Sequence, residues 1–379
     1  LVACWKQYGE AYKFSARTGY SSKDVLYAMR NLVVGQDEMM SSIYSVSEQR
    51  SYLNNISYAY TFSRKLSIKA SVDGNVHAVS SEDTVAKTGY QCNRHEVSGF
   101  LAGHAQLLPR LNVNAMVRQE FVDNDMVPLI PYFGFDLKLM KKHDLILKGN
   151  IARNYREPTL NDLYWQPGGN EALKPEKGIS TELGLEQQFV GNRSKLHWEL
   201  TAYRSDIDNW IIWLPSLEGY WQPMNIRRVI SQGAEASAKI ETSIGKLGVN
   251  ILASYAYTSS RNYGDAAVWG DESYGKQLVY VPLHSANMMV NLHYKKLFAS
   301  YQHNSYSERF TSSSNDASKR DWLYPYFMND LMFGRRFQAW KLNGMVEFKI
   351  YNLYNEVYHS VLYRPMPRRN YMLVLRVEL

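Results

Sequence analysis

The order of residues at the end of the chain constrains its fold more than any other feature. Tyr371, Leu373, Leu375, Val377 and Leu379 are apolar, with Val374, Arg376 and Glu378 falling between them. A strand turns successive side chains to opposite faces, so this ending is a strand with one greasy face and one charged face. The pattern returns along most of the chain. Leu66, Ile68, Ala70 and Val72 alternate with Ser67, Lys69, Ser71 and Asp73. Phe133, Phe135, Leu137 and Leu139 alternate with Tyr132, Gly134, Asp136 and Lys138. Leu247, Val249, Ile251, Ala253, Tyr255 and Tyr257 form one uninterrupted face, and Leu342, Gly344, Val346, Phe348 and Ile350 oppose Asn343, Glu347 and Lys349.

Alternation alone would also suit a soluble sandwich. Length and spacing separate the two. Soluble strands run about 5–6 residues, whereas several here run near ten or more, the length that crosses a bilayer at a tilt. Many end near Tyr, Phe or Trp, as an interfacial girdle requires. Short connections near Ser63-Arg64, Leu108-Pro109, Lys142-His143, Gly191-Asn192, Gly245-Lys246, Lys295-Lys296 and Arg336-Phe337 alternate with longer ones. The longer ones lie around Ser80–Gly89, Arg156–Gly178, Leu214–Asn225, Ser260–Leu278, Ser307–Asp321 and Tyr354–Arg368. Short turns at one rim and long loops at the other are the habit of outer-membrane barrels. The expected fold is all-β, a transmembrane antiparallel β-barrel sheet of about 16 strands. Lys138, Lys148 or Lys349 turned to lipid near the midplane would cost roughly 2–4 kcal/mol each, which assigns the polar face to the interior.

Composition closes off other classes. Of 379 residues 45% are apolar and 13% aromatic, which excludes a disordered chain. No run approaches the ~18 uninterrupted apolar residues of a membrane helix; Met126 to Phe135 is broken by Pro128, Pro131 and Gly134. The net charge of +7 comes as pairs assigned to tight turns (Arg64-Lys65, Lys141-Lys142, Lys295-Lys296, Arg335-Arg336) or singly on polar faces. It does not gather into a nucleic-acid stripe, and no nucleic acid partner is expected. Cys4 and Cys92 lack any motif spacing, so one disulfide and two free thiols fit equally. The chain opens at Leu1, without Met or a leader pattern and almost inside a strand. The expectation is that an N-terminal part of the natural protein lies outside it.

One long connection carries a motif. It reads Tyr155-Arg156-Glu157-Pro158-Thr159-Leu160-Asn161-Asp162-Leu163-Tyr164-Trp165-Gln166-Pro167-Gly168-Gly169-Asn170-Glu171-Ala172-Leu173-Lys174-Pro175-Glu176. This resembles the Arg-x-Pro, Gly-Asn and Leu-Lys-Pro-Glu elements of TonB-dependent outer-membrane receptors. Gly233-Ala234-Glu235 is similar to a later strand motif of that family. Asn352-Leu353-Tyr354-Asn355 through Tyr358, with Pro365-Met366-Pro367-Arg368-Arg369-Asn370-Tyr371, is similar to its closing box. The resemblance covers residues 1–379 as one barrel domain, and departs from the family at Arg368, where a Gly is usual, and at Leu379, where an aromatic usually ends the chain. The wording Pro158-Thr159-Leu160-Asn161-Asp162-Leu163-Tyr164-Trp165 is most similar to the cobalamin-receptor branch. Residues 156–178 hold no His, whereas haem receptors usually carry one there.

The resemblance implies a bacterial outer-membrane location and active import of a scarce large nutrient, a cobalamin or another corrinoid, energised through TonB. It implies a complete barrel of about 22 strands with an N-terminal plug, so this chain is expected to be the C-terminal portion with plug and first strands outside it. Outer-membrane lipids and a surface lipoprotein are the other partners it implies. A siderophore or iron-chelate receptor stands as the alternative, and a passive porin or an outer-membrane hydrolase barrel as those of another class.

Candidate ligand contacts are Tyr164, Trp165, Gln166 and Asn170 in one loop and Tyr220, Trp221 and Gln222 in another. Flat rings and amides suit a large planar ligand. The same aromatics, with Trp213, also suit a girdle or loop packing, the more frequent use. Leu173-Lys174-Pro175-Glu176 reads as structural, with Pro175 stiffening the entry to a strand and Lys174 and Glu176 pairing across loops. Asp265, Asp271 and Glu272 share a loop and offer oxygen ligands for calcium, but lack the dense Asp alternation of a calcium loop, so no cofactor is expected. The nine His show no metal spacing. Ser254 and His293 are the residue types of a Ser–His hydrolase pair, without a Gly-x-Ser-x-Gly elbow; no catalytic or metal-binding residue is expected.

Overall fold

The computed structural model describes residues 1–32, 39–140, 144–215, 220–264, 273–316, 322–339, 342–364 and 366–378. Its contacts form two compact units. The first comprises Leu1–Phe135, Asn150–Ile179 and Ile207–Arg227, and the second Asp136–Gly149, Ser180–Asp206 and Arg228–Leu379.

In the first unit the strands Val2–Tyr8, Tyr12–Leu32, Met39–Ser63, Leu66–Asp83, Thr88–Leu108 and Leu111–Val122 form an antiparallel meander, each paired to the next. Register sorts their side chains. Tyr58, Ala70, Leu101 and Val117 stand side by side on one face, while Asn55, Asp73, Ser98 and Glu120 stand side by side on the other. A one-residue slip anywhere would exchange the two sets.

The second unit repeats the arrangement through Leu247–Asn262, His284–Tyr294, Leu297–Tyr306, Tyr326–Ala339, Leu342–Tyr351 and Asn370–Glu378. One rung crosses all six strands as Ile251, Val290, Tyr301, Leu331, Ile350 and Tyr371. The adjacent rung, on the opposite face, reads Asn250, Asn291, Ser300, Met332, Lys349 and Met372. On polar faces the lysines find carboxylates: Lys148 pairs with Glu186 and Lys138 with Asp144, and Lys349 lies 3.3 Å from Glu347.

Burial shows which face needs a non-aqueous neighbour. Among the described residues the buried apolar side chains are Val122, Val127, Leu173, Ile211, Val229, Leu278 and Leu323, with Val127 and Val229 the most enclosed. Val127, Leu173 and Leu278 lie in connections, Val122 ends a strand, and Ile211, Val229 and Leu323 lie in strands next to the long connections. The middle of the sheet has no packed interior, and Leu101 (51% exposed), Leu373 (71%) and Leu375 (64%) stand bare. Leaving a Leu-sized side chain in water forfeits about 1.5–3 kcal/mol, so rows of them define a surface for hydrocarbon. The all-β, antiparallel expectation holds, and Leu247, Val249, Ile251 and Ala253 share no dry interior with a second sheet.

Some boundaries differ from the expectation. The main sheet has 18 strands among the described residues, counting the two-residue Asp125–Met126, against about 16 expected. Tyr12–Leu32 and Met39–Ser63 are 21 and 25 residues long, and their Ser, Asn and Thr content blurs the alternation. Ser80–Gly89 is not a long loop, because pairing continues to Asp83 opposite Thr88. Strands that run past the lipid become polar on both faces, and polarity there is no sign of a turn. Leu214–Asn225 also shrinks, its flanking strands running to Pro215 and from Trp221, because Pro215 and Pro223 read as loop residues yet lie in strands. Arg336-Phe337 lies inside Tyr326–Ala339, Arg336 opposite Met345, so the Arg335-Arg336 pair occupies a strand and not a turn. Lys142-His143, Lys141 and Leu379 lie outside the described residues, as does Pro365. Cys4 and Cys92 are both free.

Replacing Ile251 with Lys is expected to cost roughly 2–4 kcal/mol, while Asn250→Lys on the neighbouring position stays within about 1 kcal/mol. Denaturant unfolding of the protein in phospholipid vesicles measures both.

Candidate functional site

Two buried carboxylates organise the long connection after Ile146–Arg156. Asp162 (4% exposed) caps the five-residue helix Leu160–Tyr164: the Thr159 hydroxyl accepts from the Asp162 N–H at 3.1 Å, and the Thr159 N–H donates to Asp162 Oδ2 at 2.8 Å. This reciprocal box satisfies donors that a helix start leaves open. Trp213 Nε1 donates to Asp162 Oδ1 at 2.8 Å. Glu176 (6% exposed) accepts from Arg156 Nη1 at 2.7 Å and from the Ile211 N–H at 2.8 Å. Arg156 Nη2 also lies 3.6 Å from Asp162. The charges at both ends of the motif, Arg156 and Glu176, thus meet across it, and the Leu-Lys-Pro-Glu stretch is structural.

The same connection is stitched to the loop that follows Ser194–Pro215. Asn225 replaces a missing backbone rung, accepting from the Lys174 N–H at 2.8 Å and donating to the Lys174 carbonyl at 2.9 Å. Asn170 donates to the Pro223 carbonyl at 3.3 Å and accepts from the Ala172 N–H at 3.0 Å. Gly168 has φ +117, and a Cβ there would lie 2.4 Å from the Trp221 carbonyl oxygen. Only glycine fits that backbone and that gap.

The structure therefore brings the two predicted loops together, with different duties for their residues. Trp221 is 53% exposed and Gln166 is exposed. Trp165, Tyr220 and Gln222 are half-buried. Tyr164 is half-buried, its ring 6.0 Å from that of Tyr90. Asn170 is engaged by the backbone.

A cavity of about 550 Å³ opens beside the helix start, on the polar face of the first unit. His77 Nδ1 lies 2.8 Å from the Ser51 hydroxyl, and its Nε2 lies 3.7 Å from Glu96. Arg94 donates to the Pro158 carbonyl at 2.8 Å and stands 3.6 Å from Asp123. Arg118 lies 3.1 Å from Glu120. Each arginine of this wall thus stands beside a carboxylate. The Tyr90 hydroxyl donates to Asn161 Oδ1, and the Tyr155 hydroxyl donates to Glu157 Oε1 at 2.6 Å. Tyr155, Glu157 and Asn161 belong to the motif, but His77, Arg94 and Arg118 do not stand out in the sequence. Alternation places such residues on a polar face, but only inter-strand register assembles them.

Ser254 stands opposite Asn287 and His293 opposite Gly248, roughly 20 Å apart along the ladder; the two do not meet. Among the described residues no group of His, Cys, Asp and Glu is arranged to hold a metal ion. Asp265, Asp271 and Glu272 lie outside the described residues.

Comparison with known proteins adds a second line of observation. A family model described as "TonB dependent receptor-like, beta-barrel" matches residues 6–353. A vitamin B12 transporter (BtuB) of Photobacterium profundum is 35% identical over 125 residues, 32% of this chain and 19% of that protein. Its counterpart from Vibrio vulnificus is 38% identical over 99 residues, 25% of this chain and 15% of that protein. Among solved structures, the copper transporter OprC superposes with a TM-score of 0.73 at 14% identity, covering 98% of this chain and 63% of that one. A ferric enterobactin receptor mutant (PfeA) of Pseudomonas aeruginosa in complex with enterobactin gives 0.75 at 15%, covering 99% and 61%. At such identities these structures speak to the fold alone. The matched stretches span less than a fifth of the curated relatives.

Replacing Glu176 with Ala strands the buried Ile211 N–H and frees Arg156. The expected cost is about 1–3 kcal/mol, accompanied by faster proteolysis within residues 157–175. Unfolding midpoints and limited proteolysis of the wild type and E176A check this.

Proposed function

This chain belongs to the family of TonB-dependent receptor β-barrels of the outer membrane, and from that premise we propose that it forms the wall of an active importer for a corrinoid. The observation that carries the substrate reading is the similarity to two vitamin B12 transporters. The site chemistry supports it. A corrinoid is a large flat ring system fringed with amides, and exposed Trp221 and Gln166, with Trp165, Tyr220 and Gln222 beside them, offer flat apolar surface and amide partners.

The cavity wall points the same way. Arg94 and Arg118 each have a carboxylate neighbour, and Glu96 and Glu157 add further acidic groups, so the wall offers hydrogen bonds and leaves neither arginine as an uncompensated cation. A receptor selecting a highly anionic ferric chelate gains specificity from cations left unpaired for the ligand. Import through such a wall is binding followed by gated release, with no bond made or broken. Release demands an interaction that differs between two states of the receptor, and in this reading TonB supplies the energy that changes state. A surface lipoprotein that covers the mouth fits the same scheme.

Titration of the membrane-embedded protein with cobalamin, a ferric catecholate and haem tests the substrate. Tight cobalamin binding is expected, weakened roughly tenfold, about 1.4 kcal/mol, by Trp221→Ala. Tight binding of the iron chelate with none of cobalamin would reject the corrinoid and leave the receptor class standing.

A further inference from the structure

One face of Leu247–Asn262 grades in polarity from end to end. From the short turn outward it presents Leu247, Val249, Ile251, Ala253, Tyr255, Tyr257, Ser259 and Arg261. Leu247 to Tyr257 climbs about 34 Å of strand, or roughly 25 Å along the membrane normal at a tilt near 40°. That is the height of the apolar band of an outer-membrane barrel. Tyr255, Tyr257 and His284 mark its upper edge: the Tyr255 hydroxyl lies 2.8 Å from His284 Nδ1, and the Tyr257 ring 5.4 Å from the imidazole. The long connection from Asn262 to His284 lies beyond this edge, so the edge belongs to the outer leaflet.

Above the belt, on the same face, stand Arg204, Arg228 and Arg261, all exposed. Arg261 donates from Nε to the Ser259 hydroxyl at 3.2 Å and from Nη1 to the Gly275 carbonyl at 3.4 Å. Gln232 sits opposite Ser259 in the ladder and accepts from Arg204 Nη1 at 3.0 Å. Arg228, farther out on the Gln232 face, grips Asp206, its Nε 2.6 Å from Oδ1. These hydrogen-bond partners of Arg204 and Arg261 are neutral, while Asp206 also feels the charge of Arg204. Strand spacing puts the three guanidinium groups within roughly 10–15 Å of one another.

We propose that Arg204, Arg228 and Arg261 bind the phosphate groups of an outer-leaflet lipid whose acyl chains lie along the apolar ladder below Tyr255. Guanidinium forks match phosphate oxygens two at a time. The arginines stand where head groups begin, on the wall that faces hydrocarbon. Neutral hydrogen bonds hold Arg204 and Arg261 in place, and the three guanidinium groups outnumber the one carboxylate of Asp206 that Arg228 and Arg204 share. The inference rests on the outer-membrane location and is independent of which nutrient is carried.

The test uses delipidated protein in neutral detergent, titrated with bisphosphorylated lipid A and with the dephosphorylated lipid of identical acyl chains. The wild type is expected to prefer the phosphorylated lipid by roughly 10- to 30-fold. The Arg204→Gln/Arg261→Gln variant keeps the Arg228–Asp206 pair and should lose most of that preference, whereas Arg204→Lys/Arg261→Lys should keep part of it. No preference in the wild type, or an unchanged one in the glutamine variant, overturns the site. Displacement of the lipid by millimolar inorganic phosphate alone would make it a free-anion site and overturn the lipid assignment.

Discussion

Hydrocarbon offers a backbone no hydrogen-bond partner, and each group left unpaired in it costs several kcal/mol. A chain without a helix long enough to span must therefore satisfy its peptide groups from strand to strand. Everything else in this structure follows from that requirement. Antiparallel pairing fixes the register, and register sends alternate side chains to opposite faces. The rung from Ile251 to Tyr371 across six strands is the direct expression of it. The unusual burial pattern expresses it too: apolar side chains pack near the long connections and stay bare along the sheet.

A wall built this way is rigid in its middle and free at its long-loop rim, so the rim is where chemistry can be placed. The structure uses charge there to hold loops rather than to react. Asp162 and Glu176 are buried carboxylates, each with several donors, and Arg156 touches both. Breaking one partner would leave an uncompensated buried group, which is the expensive case. The stitched loops then present Trp221 and Gln166 outward while Asn170 and Asn225 stay occupied by backbone. In the proposed reading, recognition and scaffolding are divided between neighbouring residues of the same loops.

Much of this is legible in the residue order. The faces of Leu247–Asn262 and Leu342–Tyr351 follow from alternation alone, as do the short turns at Gly245-Lys246 and Lys295-Lys296. Arg156, Asp162 and Glu176 lie within a motif that the sequence displays, although their mutual contacts do not appear there. The boundaries that alternation misplaces have separate causes. Near Ser80–Gly89 both faces of the strands turn polar and a ladder looks like a loop, and near Leu214–Asn225 the prolines Pro215 and Pro223 look like loop residues although strands carry them. At Arg335-Arg336 a basic pair reads as a turn, yet the strand carries it on to Ala339. The cavity wall of His77, Arg94 and Arg118 is invisible in the sequence for another reason. These residues belong to different strands, and single-sequence periodicity says nothing of which strand residues stand side by side.

Site-directed spin labels measure the central claim most directly. With Cys4 and Cys92 replaced by Ser, labels at Ile251, Val290 and Leu373 should be relaxed by lipid-dissolved oxygen. Labels at Asn250 and Asn291 should instead respond to a water-soluble nickel chelate, alternating strictly from one position to the next. Equal access of both quenchers at neighbouring positions, or oxygen access at Asn250 with nickel access at Ile251, would contradict the account.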